Sequence, residues 1–238
     1  MPQWSQDDIK RIMNSFMKPE DTFKFSCTMC GDCCRKRSEP ILLTGLDVFR
    51  IAQALEVKPT EVLEKYTRGY LGDNSHIPVF VLKERTGDGS CSLLRKGKCT
   101  VHQNKPVVCA LYPLGRVSMS DGSGKIEYFN QEHACTKGLS GEVQEWTLKA
   151  WLEEFKINDL DNQSKAWNKI ASGIASTTCQ MDKKDISPLM TEIMLTALYM
   201  AYDTSMSYED CVEANIHMIT EVFMIFFSID LTFQQQGV

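Results

Sequence analysis

The run Cys27-Thr28-Met29-Cys30-Gly31-Asp32-Cys33-Cys34 places four cysteines in eight residues, and four more, Cys91, Cys99, Cys109 and Cys135, follow before residue 140. Such density serves either disulfide stapling or thiolate ligation of metal, and the compartment selects between them because thiols oxidise outside the cell. The opening stretch, MPQWSQDDIKR, lacks the basic, apolar and small-residue segments of a secretory signal. A cytoplasmic protein with reduced thiols is therefore expected. A chain of 238 residues also buries a sizeable core without staples. Bonding the neighbours Cys33 and Cys34 to each other strains the backbone, so each would need its own distant partner. Metal ligation is the simpler reading.

A CxxC followed by glycine is a metal knuckle: two intervening residues let both thiolates reach one ion, and the glycine relieves the tight turn. Here a second CxxC overlaps the first, from Cys30 to Cys33, and Cys34 follows directly. Adjacent side chains usually diverge, so Cys33 and Cys34 need not serve one ion, and more than one metal is reasonable. On a helix Cys27, Cys30 and Cys34 would share a face; in a loop no such assignment follows. Four thiolates saturate one zinc ion or hold one iron-sulfur cluster, so the eight candidate ligands, Cys27, Cys30, Cys33, Cys34, Cys91, Cys99, Cys109 and Cys135, suffice for two sites. Softness does not separate zinc from iron. His102 and His133 are alternatives to a cysteine at one site, whereas His76 and His217 have no local support. Tyr112 is expected to pack the site rather than react. Cys179 and Cys211, further along, are expected to be small buried hydrophobes.

Charge is unevenly placed: the net −5 divides into +4 over residues 1–140 and −9 over 141–238. The basic runs Arg35-Lys36-Arg37 and Arg95-Lys96-Gly97-Lys98 can offset thiolate charge or remain solvated loops. No long basic stripe interleaves with aromatics, so nucleic acid is not an expected partner.

The pattern predicts an α+β fold in which a small cysteine-rich core with short strands packs with a mainly helical C-terminal segment. Ser5 caps a helix over residues 5–17, Thr44 a second over 45–55, and Pro59 precedes a third over 60–66. Residues 78–82 read as a strand, 87–89 as a turn, and 116–119 with 125–130 as a hairpin. Helices are expected over 142–155, 163–174, 189–202 and 208–229. The apolar run at 222–227 is too short to span a membrane, and is expected in the core, with a homodimer interface as the alternative. The methionines at 190, 194, 200, 206, 218 and 224 are expected to be core filler. Three segments result: an N-terminal helix at 1–22, a metal-binding domain at 23–140 and a helical segment at 141–238.

The cysteine run, the Cys91-Ser92-Leu93-Leu94 and Cys99-Thr100-Val101-His102 segments, and Lys105-Pro106-Val107-Val108-Cys109-Ala110-Leu111-Tyr112-Pro113 occur in this order. Together they resemble the YkgJ-type cysteine-cluster family, a zinc- or iron-chelating domain marked by CxxCxxCC, over about residues 23–135. The family often has arginine where this chain has Lys105 and Ala110. The resemblance implies a metal-binding domain but neither the metal nor a reaction, and it leaves the helical segment's partner unspecified. Three functions stay open. The first is a metalloprotein binding iron, as iron-sulfur, or zinc, with a redox role or a protein partner. The second is a protein-modifying enzyme, since flagellin lysine N-methylases contain a similar cluster. The third is metal trafficking. No glycine-rich nucleotide loop follows a strand, and no CxxxCxxC radical motif occurs.

Overall fold

The computed structural model of the chain describes residues 5–35, 39–118, 125–131, 135–139, 142–229 and 231. In chain order the elements begin with α1 (Gln6–Met13), β1 (Thr22–Lys24), β2 (Leu42–Leu43), α2 (Gly45–Leu55), α3 (Pro59–Tyr66), β3 (Thr67–Leu71) and β4 (Pro78–Leu82). Next come β5 (Leu94–Arg95), β6 (Lys98–Cys99), α4 (Val107–Leu111), β7 (Leu114–Ser118), β8 (Ile126–Asn130) and β9 (Glu145–Thr147). The remainder is helical: α5 (Leu148–Glu154), α6 (Ile157–Thr178), α7 (Pro188–Leu195), a π-helical turn at Thr196–Met200, and α8 (Tyr208–Phe227). Helices with small antiparallel sheets make the chain α+β. None of the described helices is long and apolar enough to cross a membrane.

Two compact units interleave along the sequence. One comprises Met1–Glu39, Arg85–Thr100 and Val107–Asp159; the other comprises Pro40–Glu84, Val101–Pro106 and Leu160–Val238.

In the first unit β1 pairs antiparallel with β9, Phe23 opposite Trp146, and β7 pairs with β8, Leu114 opposite Asn130. The first ladder corrects the helix expected over 142–155. Trp146 is held as a strand residue, and α5 starts only at Leu148, where the Thr147 hydroxyl accepts the Ala150 N–H at 3.1 Å. Trp151 of α5 forms the hub of this core. Its ring meets Phe23 and Phe25 edge-on at 5.4 and 5.9 Å, and its indole N–H donates to the Leu111 carbonyl at 2.9 Å. Ser5 and Asp8 form the capping box of α1, but the helix ends at Met13 rather than residue 17. Its Ile9 and Met13 are exposed.

The second unit is built on α2, whose Thr44 and Asp47 form a reciprocal cap, and on a three-stranded sheet in the order β2, β4, β3. Ile51, Ile170, Ile174, Met194, Leu198, Ile219 and Phe223 fill its core. Gly45 is required by close approach, because a Cβ there would stand 2.6 Å from the Leu198 carbonyl oxygen. His76 is a satisfied core residue, its Nδ1 lying 2.9 Å from the Thr178 carbonyl oxygen.

The core expectation for residues 222–227 is corrected: Phe223 is fully buried, while Met224, Ile225 and Phe226 are 45, 72 and 65% exposed. The inward line of α8 runs through Cys211, Asn215, Ile219 and Phe223, four residues apart, so consecutive apolar residues cannot all face the core. The same limit applies to the methionines: Met190 and Met194 are buried, but Met206 and Met224 are exposed. Cys211 is buried as expected. Cys179 is exposed beyond the end of α6, its thiol donating to the Ser176 carbonyl at 3.3 Å.

Candidate metal centre

All eight cysteines of the first 140 residues fall in the first unit, gathered from three separate stretches of chain. All ten cysteines of the chain are described, and none forms a disulfide.

The run from Cys27 is anchored by what precedes it. Phe23 and Phe25 are buried, the Phe25 ring meets Tyr112 edge-on at 6.1 Å, and the Ser26 N–H donates to the Gly138 carbonyl at 3.0 Å. Gly31 then adopts φ 74°, a left-handed conformation that opens the 3-10 turn Asp32–Cys34. A Cβ at Gly31 would lie 3.0 Å from the Gly97 carbonyl oxygen and 3.1 Å from Leu94 Cδ1, so close packing and backbone conformation both select glycine. The turn brings the Cys33 and Cys34 sulfurs to 3.9 Å, although adjacent side chains were expected to diverge. A tight 3-10 turn, unlike a strand, does not send neighbours to opposite faces.

The second stretch is tied to the first through backbone. The Cys91 N–H donates to the Cys34 carbonyl at 2.7 Å, and Arg35 bridges to Ser90. Cys91 is buried, and Cys99 lies on β6 opposite Leu94. The Cys34 thiol is pushed well above the usual thiol range, first by its contact with Cys33 and then by burial. Cys91 and Cys99 are near enough to add to that rise.

The third stretch contributes Cys109, half-buried on α4, and Cys135, which precedes the 3-10 turn Thr136–Leu139. Cys135 Sγ stands 3.6 Å from Cys30 Sγ, and the Cys135 N–H donates to the Tyr112 hydroxyl at 2.5 Å. Tyr112 thus supports the cluster as a packing and hydrogen-bonding residue. Burial, followed by the nearby Cys135, Cys33, Cys30 and Asp32, raises its phenol so that it stays protonated. Cys27 lies exposed in the loop before the turn.

Two positions were not singled out from the sequence. Asp32 has a donor oxygen within 4.8 Å of both the Cys30 and Cys135 sulfurs, and Lys137 Nζ lies 3.3 Å from Asp32 Oδ1. Its position between two cysteines was the available signal, since carboxylates also ligate zinc. Of the basic run beside the cysteines, Arg35 donates to the Cys30 carbonyl at 2.9 Å; Lys36 and Arg37 lie outside the described residues. So does His133. His102 falls in the second unit, where burial and the Lys105 charge favour its neutral form.

The donor set fits a metal. Two thiolates about 2.3 Å from one tetrahedral ion stand about 3.8 Å apart, close to the observed 3.6 and 3.9 Å. No curated protein and no solved structure matched the chain. Residues 26–137 match the family model CxxCxxCC, described as "Putative zinc- or iron-chelating domain". That match takes in all eight cysteines from Cys27 to Cys135 and neither Cys179 nor Cys211, so over residues 26–137 the chain is similar to the CxxCxxCC family.

Proposed function

We propose that this protein binds zinc or iron(II) as individual ions through Cys27, Cys30, Cys33, Cys34, Cys91, Cys99, Cys109 and Cys135. The observation that carries this reading is the pair of sulfur separations, 3.6 and 3.9 Å, each suited to two thiolates on one ion. A four-iron cubane bonds one thiolate to each iron and therefore needs its sulfurs farther apart, whereas a two-iron cluster places two thiolates on each iron and fits the same separations. The ion would supply charge neutralisation for the converging thiolates, and iron would add redox capacity. The chain's own contribution is to hold the sulfurs together, through Gly31, the Cys91-to-Cys34 backbone bond and the Tyr112 hydroxyl. Reduced thiols suit the cytoplasm, where we place the protein.

An iron-sulfur assembly is the second reading, supported by a count of eight cysteines that matches two sets of four. Elemental analysis, labile-sulfide assay and an absorption spectrum on full-length protein purified without oxygen decide between them. The expected result is stoichiometric zinc or iron without sulfide, lost in Cys30→Ser and Cys34→Ser. Sulfide matching the iron, with a visible band bleached by dithionite, would establish the cluster instead. Folded protein that takes up no metal would sink both readings.

A further inference from the structure

The cysteines are not chemically uniform in their surroundings. Around Cys34 the nearby donors are thiols, from Cys33, Cys91 and Cys99. Around Cys135 a carboxylate joins them: one donor atom each from Cys30, Asp32 and Cys135 lies within 4.8 Å of the other two. This is the one group of three metal-binding side chains found that closely spaced among the described residues.

Two sulfurs 3.6 Å apart with a carboxylate beside them would carry more negative charge, once both are bound to a cation as thiolates, than Lys137 at 3.3 Å and Arg35 at 4.0 Å from Asp32 Oδ1 balance. Lys137 and Arg35 both approach the same oxygen, Asp32 Oδ1, and charged partners of this kind restrict a carboxylate's rotation, as an outer partner does for a metal ligand. An oxygen donor among thiolates suits zinc, iron(II) or cobalt(II) better than the softer copper(I). Structural zinc sites are closed by four protein ligands, whereas three protein ligands leave a position for water or substrate.

We infer that Cys30, Asp32 and Cys135 form a mixed sulfur-oxygen site for a divalent first-row cation, distinct from the thiol group around Cys34, with a coordination position open to a small exogenous ligand. This inference rests on the metal binding proposed above and adds a ligand outside the cysteine set.

The test is an oxygen-free titration of the full-length chain with cobalt(II), read by its visible ligand-field bands and its near-ultraviolet thiolate charge-transfer band. Asp32→Asn is expected to weaken one class of cobalt site by about tenfold or more, the loss seen even for outer-shell partners, with the far-ultraviolet circular dichroism unchanged. Asp32→Cys is expected to restore the affinity and strengthen the charge-transfer band, because a third sulfur replaces oxygen. Azide is expected to shift the ligand-field bands of the unsubstituted protein and not those of Asp32→Asn. A carboxylate that served only its ion pair would give a different pattern: Lys137→Ala would reproduce the Asp32→Asn loss and Asp32→Cys would not restore it, which overturns the inference. Equal cobalt binding by the unsubstituted protein and Asp32→Asn overturns it too while leaving the proposed function standing. No cobalt binding by the unsubstituted protein removes both.

Discussion

Gly31 connects a single missing side chain to the assembly of the cluster. It sits at φ 74° within van der Waals reach of Leu94 and the Gly97 carbonyl, between the two halves of the cysteine run. Replacement by alanine forces a β-carbon into that contact and leaves an L residue in the left-handed region, at a cost of about 1–3 kcal/mol. Gly31→Ala is therefore expected to lower the urea midpoint and to release metal faster to a competing chelator. An unchanged midpoint and release rate would show that the turn does not need glycine. Asp32, the next residue, shows why residue type alone was insufficient. A carboxylate in a turn is ordinarily a solvated surface group, and its nearness to Cys135, 103 positions on, exists only after folding.

At the scale of elements, helix starts were legible because caps are local. Ser5 and Thr44 each accept the N–H of an aspartate three residues on, and both helices begin where those caps place them. Strand β9 was not legible, because Trp146 is held extended by pairing with Phe23, far away in sequence. The π-helical turn at Thr196–Met200 was equally hidden. Asn215, 5% exposed on α8, donates to the Ala197 and Ala201 carbonyls at 3.1 and 3.0 Å, satisfying backbone around that turn. Asn215→Ala removes both donors from a buried position and is expected to destabilise the protein by about 1–3 kcal/mol. Chemical denaturation measures this, and a change below a few tenths of a kcal/mol would mean that water replaces the amide.

For the whole molecule, the interleaved units make a thermal prediction. The eight candidate cysteines belong to the first unit, while the second has its own core of Ile51, Ile170, Met194, Leu198 and Phe223. A metal bound only by the folded form stabilises what it binds. Removing it is expected to lower the melting of the first unit by about 4–8 °C for each kcal/mol lost, while most of the helical signal persists until the second unit melts. Calorimetry and circular dichroism with and without chelator read this directly; superimposable melts would contradict it.

The amino-acid sequence by itself determined the cysteine framework, the α+β class, the glycine of the turn and the capped helix starts, because each depends on residues a few positions apart. Tertiary structure alone decided which sulfurs meet, that Asp32 stands among them, that residues 145–147 form a strand, and which residues of α8 face the core. The physical reason is chain distance. Local sterics and hydrogen bonds are written in neighbouring residues, whereas the approach of Cys30 to Cys135 depends on Phe25 and Gly138 packing together and on Tyr112 receiving a backbone N–H from across the fold.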